Sequence, residues 1–140
     1  MNSEKPLPLA SDPDGAPYWM AAKQHRLSLQ QCDQCHSFLY PPGPACPRCG
    51  SSRISYKDIG SEVTGRVYSY IISYRAFVAG FANDVPYVVA LVDLDGVPNV
   101  KILADLIDCQ PDEVRIGMPV QMTWEDRTED VTLPQWKVTL

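Results

Sequence analysis

The sequence predicts a mainly β chain in three parts: a short N-terminal helix, a small cysteine-built ribbon, and a five-stranded barrel. Three observations carry this expectation. Four of the five cysteines fall between residues 32 and 49 as two C-x-x-C pairs. Beyond residue 54, apolar and polar residues alternate with the period of a strand in several short runs. Thirteen prolines against eight glycines disfavour long helices and favour strands, turns and extended linkers. The expected boundaries are 1–31 for the lead-in and helix, 32–53 for the ribbon, and 54–140 for the barrel.

Residues 1–16 read as a lead-in rich in proline and aspartate. Pro17 to Leu27 then reads as the helix. Asp14 or Gly15 is placed to cap it, and Pro17 suits its first turn. Trp19, Met20, Lys23 and Leu27 recur at three to four residues, which predicts one mostly apolar face. That face either packs on the rest of the protein or forms part of a binding surface.

The strands follow in order. Along Val63–Tyr74, Val67, Ser69, Ile71 and Ser73 are expected on one side, and Tyr68, Tyr70, Ile72 and Tyr74 on the other. Pro86–Leu94 is a nearly continuous apolar run, as in a central strand covered on both faces. Val100–Ala104 comes next, joined to it through the turn Asp95-Gly96-Val97-Pro98-Asn99 as a hairpin. Val120, Met122 and Trp124 alternate in a further strand, and Trp136, Val138 and Leu140 in the last. Five short antiparallel strands at this spacing suit a small barrel such as the OB-fold.

The cysteines read Cys32-Asp33-Gln34-Cys35, then ten residues, then Cys46-Pro47-Arg48-Cys49-Gly50. Each pair can hold one metal ion from a tight turn, and four thiolates satisfy the tetrahedral preference of Zn²⁺. Gly50 permits a turn at positive φ. The pattern is that of a zinc ribbon, with Cys32, Cys35, Cys46 and Cys49 as ligands; iron suits the same four sulfurs. Four protein ligands leave no open position, so the metal is structural. Two disulfides or a redox dithiol fit the spacing less well. His36 is expected to face solvent, and Cys109, without a nearby histidine, to be a structural or surface thiol.

The formal net charge is −5, unevenly spread. Residues 54–140 carry seven basic and thirteen acidic side chains, a net charge of −6. Sequence-independent nucleic-acid binding needs cations to displace counterions, so a nucleic-acid module is the disfavoured alternative. An iron electron carrier is a further one. No secretory leader or bilayer-spanning run is visible, so a cytoplasmic, non-membrane protein is expected. No nucleophile elbow, phosphate loop, zinc-protease signature or dinucleotide fingerprint is present, and no catalytic residue is assigned.

Two surfaces invite binding. Residues 75–85 form an eleven-residue loop that carries Phe77 and Phe81, either displayed or tucked under the barrel. The tyrosine face of Val63–Tyr74, flanked by Arg66 and Arg75, either stacks a ligand or lines the core. Candidate binding residues are therefore Trp19, Lys23, Arg66, Arg75, Phe77 and Phe81.

The order of features is itself informative. A helix with Pro17-Tyr18-Trp19 leads into the paired cysteines. Gly65-Arg-Val-Tyr-Ser-Tyr70, Pro86-Tyr-Val-Val-Ala-Leu-Val-Asp93 and Ile116-Gly-Met-Pro-Val120 follow. Over about residues 16–140 this order resembles the acyl-CoA-associated family of unknown function that pairs a rubredoxin-like zinc ribbon with an OB-fold. The resemblance implies a non-catalytic accessory or scaffold subunit beside a thiolase-like, hydratase-like or aldolase-like enzyme. It implies that the subunit bridges enzymes or shields an acyl-CoA thioester between them. By position, Cys32, Cys35, Cys46 and Cys49 match the family's metal ligands. The stretch Glu125–Asp130 before Leu133-Pro-Gln-Trp136 departs mildly from the pattern. Coenzyme A needs cations for its phosphates, and Lys23, Arg26, Arg66, Arg75 and Lys101 are the candidates.

Overall fold

The computed structural model describes residues 5–77 and 80–139. One helix, α1 (Ala16–Lys23), precedes eight strands: β1 (Leu27–Cys32), β2 (Phe38–Leu39), β3 (Ile54–Gly60), β4 (Thr64–Ser73), β5 (Tyr87–Leu94), β6 (Lys101–Ile107), β7 (Pro119–Asp126) and β8 (Thr132–Val138).

Gly15 caps α1 without a side-chain bond, and a proline occupies its first turn. The helix ends earlier than the apolar spacing predicts. His25 adopts a left-handed φ of 57°, with His25 N–H bonded to Ala22 O and Arg26 N–H to Ala21 O. These two bonds make a Schellman-type cap with histidine where glycine is usual. The buried side of the helix is Tyr18 and Ala22, while Met20 and Lys23 are exposed. Leu27 is fully buried, but as the first residue of β1 rather than the last of a helical face.

Strands β2, β1 and β3 form an antiparallel sheet in that order. Ile54–Gly60, which falls inside the 54–140 stretch assigned to the barrel, pairs along the length of β1 instead. Gln30 is one of the few buried polar side chains. Its amide nitrogen donates to Gly43 O at 3.0 Å and its amide oxygen accepts from Gly43 N–H at 2.9 Å. The buried amide thereby has both ends paired, as burial demands, and clips the proline-rich connection to β1.

Strands β4–β8 close a five-stranded barrel in the order β4-β5-β6-β8-β7. The β5–β6 hairpin forms as expected from its turn. Closure comes from two long-range pairings, β4 with β7 antiparallel and β6 with β8 parallel. Val67, Val88, Val92, Ile102, Val120 and Trp136 fill the interior, and the Trp136 indole donates to Ile102 O at 3.2 Å.

Two expectations about strand faces change. In β5, Val88, Ala90, Val92 and Leu94 are buried while their neighbours are at most half-buried. One face of this apolar run is therefore only partly covered. In β4 the register shifts between Val67 and Ser69. A bulge inserts one residue and re-aims the side chains beyond it. Tyr70 and Ile72 consequently pack against the core beside Val67, while Tyr68, Ile71 and Tyr74 are exposed.

Candidate metal centre and binding surfaces

The two C-x-x-C turns are built alike. Cys32 N–H bonds Ser37 O and His36 N–H bonds Cys32 O; Cys46 N–H bonds Ser51 O and Gly50 N–H bonds Cys46 O. The residue four places after the first cysteine is left-handed in both, His36 at φ 64° and Gly50 at φ 79°. His36 is thus the positional equivalent of Gly50, exposed, and set by the turn. Sequence spacing alone did not reveal this equivalence.

The two turns bring the sulfurs of Cys32, Cys35, Cys46 and Cys49 within 4.8 Å of one another. Cys32 Sγ lies 3.6 Å from Cys49 Sγ, and Cys35 Sγ 3.6 Å from Cys46 Sγ. A tetrahedral ion with arms of ~2.3 Å separates its sulfurs by about 3.8 Å, so the donor set fits zinc in number, type and spacing. The Cys35 N–H points at Cys32 Sγ from 3.4 Å and, with the Gln34 N–H, holds the Cys32 thiol below the ordinary cysteine range. Hydrogen bonding with Ser37, side chain and then backbone, brings Cys35 down to about 6. Both effects favour the thiolate form that a metal binds at Cys32 and Cys35. Cys49 goes the other way: the Ser51 N–H lowers it, but burial and its bonds to the other three thiols outweigh that and raise it to about 11. Cys109 lies outside the cluster, and burial raises its thiol.

The six candidate binding residues do not converge. Trp19 and Lys23 line a cavity of about 420 Å³ with Met20 and with Asp130 and Val131 of the β7–β8 tip. Arg66 is the third residue of β4, whereas Arg75 lies two residues beyond its far end. Arg66 Nη1 donates to Gly117 O at 3.0 Å. Phe77 is 82% exposed, whereas Phe81 is half-buried against Tyr87, with the Lys5 ammonium 4.3 Å above its ring. The loop therefore splits its two aromatics, one displayed and one tucked. Its residues 78 and 79 lie outside the described residues. Of the other candidate cations, Arg26 forks onto Asp58, and Lys101 lies 4.6 Å above the Tyr68 ring.

A surface that the sequence reading anticipated only in Tyr68 and Tyr74 lies on the outside of β4, β5 and β6. Register places Ile71 beside Val89 and Leu91 beside Leu103. Ile71 is 64% and Leu103 60% exposed, with Tyr68 and Tyr74 also open to solvent. Exposed apolar side chains gathered on one sheet face mark interaction sites. The incomplete outer burial of β5 was the available signal.

Comparison with known proteins agrees with this architecture. Residues 19–55 match the family profile described as "ChsH2, rubredoxin-like zinc ribbon domain", and residues 61–125 the one described as "ChsH2, C-terminal OB-fold domain". A "DUF35 domain-containing scaffold protein" of Pyrococcus furiosus is 37% identical over 106 residues, 75% of this chain and 74% of that protein. A "probable enoyl-CoA hydratase alpha subunit" of Thermomonospora curvata is 38% identical over 138 residues, 96% of this chain but only 41% of that protein. The chain thus spans less than half the length of that relative. A chain of the solved "Ltp2-ChsH2(DUF35) aldolase" superposes with a TM-score of 0.75 at 38% identity, covering 94% of this chain and 98% of that one. The chain belongs to the DUF35 family, whose ChsH2-type members join a rubredoxin-like zinc ribbon to a C-terminal OB-fold.

Proposed function

We propose that the chain is a non-catalytic accessory subunit that docks on an acyl-CoA-processing enzyme of the hydratase, aldolase or thiolase-like kind. The observation that carries this reading is the exposed apolar face of Tyr68, Ile71 and Leu103 on the barrel. Such a face fits association with a protein better than with a polyanion. The similar proteins support the reading by their names, a scaffold, a hydratase subunit and an aldolase complex.

Cys32, Cys35, Cys46 and Cys49 hold a structural Zn²⁺ in this proposal. Bound there, the metal staples two turns and offers no open position for chemistry. In this reading a thioester is sheltered at the interface with the enzyme; three of the five candidate cations, Arg26, Arg66 and Lys101, are engaged within the chain. With −6 on residues 54–140, independent binding of nucleic acid or free coenzyme A is disfavoured.

The test is affinity purification of the tagged chain from its native host, followed by mass spectrometry and metal analysis. The expected result is a stoichiometric acyl-CoA-processing enzyme and one zinc per chain, with Ile71→Glu and Leu103→Glu each losing the enzyme but keeping the zinc. A partner-free preparation at low salt would overturn the docking reading. A red, iron-containing protein would overturn the metal assignment.

A further inference from the structure

Strand β4 is paired on both edges only at its beginning. Thr64, Gly65 and Arg66 lie opposite β7. The Val67 main chain still exchanges hydrogen bonds with Gly117 and Met118, at 2.7 and 3.1 Å. Past that point β4 keeps β5 on one side as far as Ser73, and no strand lies on the other among the described residues. The direction of the main-chain groups follows from the ladder. Leu94 N–H bonds Val100 O across the β5–β6 hairpin, and Asp95 N–H bonds Thr64 O on the β4 side. Alternation along β5 then turns the main-chain groups of Tyr87, Val89 and Leu91 toward β4. Their partners Ser73, Ile71 and Ser69 use their N–H and C=O groups on β5. Tyr70 and Ile72, lying between these, present theirs to the open edge.

An open edge invites another strand, and natural sheets guard theirs with charge, proline or shortness. Other edges of this chain are guarded in that way. β3 carries Lys57 and Asp58, β2 is two residues long and runs into Pro41 and Pro42, and β6 carries Lys101 and Asp105 before it reaches β8. The stretch from 68 to 74 reads Tyr-Ser-Tyr-Ile-Ile-Ser-Tyr, with no charge, no proline and no glycine. Tyr68, Ile71 and Tyr74 are exposed on it. Its chemistry is also nearly the same read from either end. About Ile71 as centre, tyrosine answers tyrosine at 68 and 74, serine answers serine at 69 and 73, and tyrosine answers isoleucine at 70 and 72. A strand that meets its own copy antiparallel uses that symmetry; the strand of a different protein has no need of it.

We propose that the occupant of this edge is a second copy of the chain, and that two β4 strands pair antiparallel across a two-fold axis at Ile71. Tyr70 of each copy then exchanges main-chain hydrogen bonds with Ile72 of the other, which satisfies the groups that the open edge presents. Ile71 stands opposite itself on the outer face and Ser69 opposite Ser73, cross-strand pairs of the kind that stabilise a sheet. The β4-β5-β6 portions of the two copies join into one continuous sheet. The contact is isologous and closes on itself, so the product is a dimer and not a fibre. A single strand pair is small beside the ~1,200–2,000 Å² of stable complexes, so association is weak and reversible. Pairing takes main-chain groups and sets the outer sides of Ile71 and Leu103 from both copies on one sheet. It therefore doubles the face proposed above for an enzyme and does not depend on an enzyme docking there.

Sedimentation velocity of the zinc-loaded chain, with no enzyme present and from about 5 µM to about 1 mM, tests this. The natural sequence should show a reversible monomer–dimer equilibrium with Kd on the order of 100 µM. Ile71→Lys and Ile71→Glu should each weaken it about tenfold or more, because each sets like charges opposite one another at the axis. An equimolar mixture of these two variants should dimerise again, since opposite charges then meet there. Leu103→Glu, which lies off the edge, should dimerise like the natural chain even if it no longer holds an enzyme, so failure of the docking reading and failure of this proposal are told apart. Amide exchange at Tyr70 and Ile72 should slow as concentration rises, with the NMR signal of the buried Trp136 indole as the fold control in every variant. A monomer at all concentrations, an unaltered dimer in Ile71→Lys, a mixture no better than its parts, or open-ended oligomers would overturn the proposal.

Discussion

Tyr68 and Tyr70 stand two places apart on one strand yet face opposite sides of the barrel, because the register of β4 slips between Val67 and Ser69. In a regular strand they would share a face. Tyr70→Ala should therefore lower stability by about 2 kcal/mol, as for loss of a partly buried aromatic. Tyr68→Ala should change it by less than about 0.5 kcal/mol. Urea unfolding of the two variants checks the ranking, and a larger loss at Tyr68 would contradict the bulge.

The paired turns predict different outcomes at Cys46 and His36, inside them, and at Cys109, outside. Cys46→Ser should release the metal and open the ribbon to protease between residues 27 and 60, since metal binding and folding are coupled. Cys109→Ser should keep both metal and protease resistance. His36→Gly should also keep the metal and gain roughly 0.5–1 kcal/mol, because glycine relieves the left-handed backbone there. Zinc content and limited proteolysis decide each case; metal loss in His36→Gly would make the imidazole a ligand.

Gly65 leaves no room for a side chain. A Cβ at this position would stand 2.5 Å from Asp93 O and 2.6 Å from Val92 Cγ1. The residue pairs with Leu94 on one side and Val120 on the other, at the seam where β4 joins two strands. Gly65→Ala should therefore cost about 1–3 kcal/mol, seen as a fall in Tm of several degrees. An unchanged Tm would mean that β4 and β5 can separate freely.

Acid should weaken the tie between the turn after α1 and β3. Arg26 Nε and Nη2 lie 3.2 and 2.5 Å from the two oxygens of Asp58, and this hydrogen bonding holds the Asp58 carboxyl below its usual range. A depressed carboxylate adds stability that is fully present above its unfolded pKa of about 3.9 and is lost as pH falls through the folded value. The stability difference between the natural chain and Asp58→Asn should then be constant from neutral pH to about pH 5 and vanish at lower pH. Denaturation curves across that range test the sign; a difference that grows in acid would reverse it.

How much was legible depended on the range of the forces involved. The cysteine spacing is a local property, and two four-residue turns built by their own backbone bonds deliver the four sulfurs to one point. The hairpin through Gly96 and Asn99 was equally local, since both take the positive φ that the turn requires. Ile54–Gly60 was not legible, because strand alternation does not say which sheet a strand joins. The separation of Arg66, in β4, from Arg75, beyond its end, and the separate fates of Phe77 and Phe81, likewise depend on where a strand runs and what covers a loop.

By itself, the sequence determined the family, the set of metal-ligand candidates and the presence of five barrel strands, since each rests on residue type and short-range periodicity. Tertiary structure alone decided how the barrel closes, through the parallel contact of Leu106 with Trp136, which lie thirty residues apart. It also decided which side of β4 faces solvent, because one inserted residue inverts the pleat, and that one edge of β4 beyond Arg66 has no paired strand among the described residues. Those outcomes follow from packing between distant segments, which no local pattern of residues encodes.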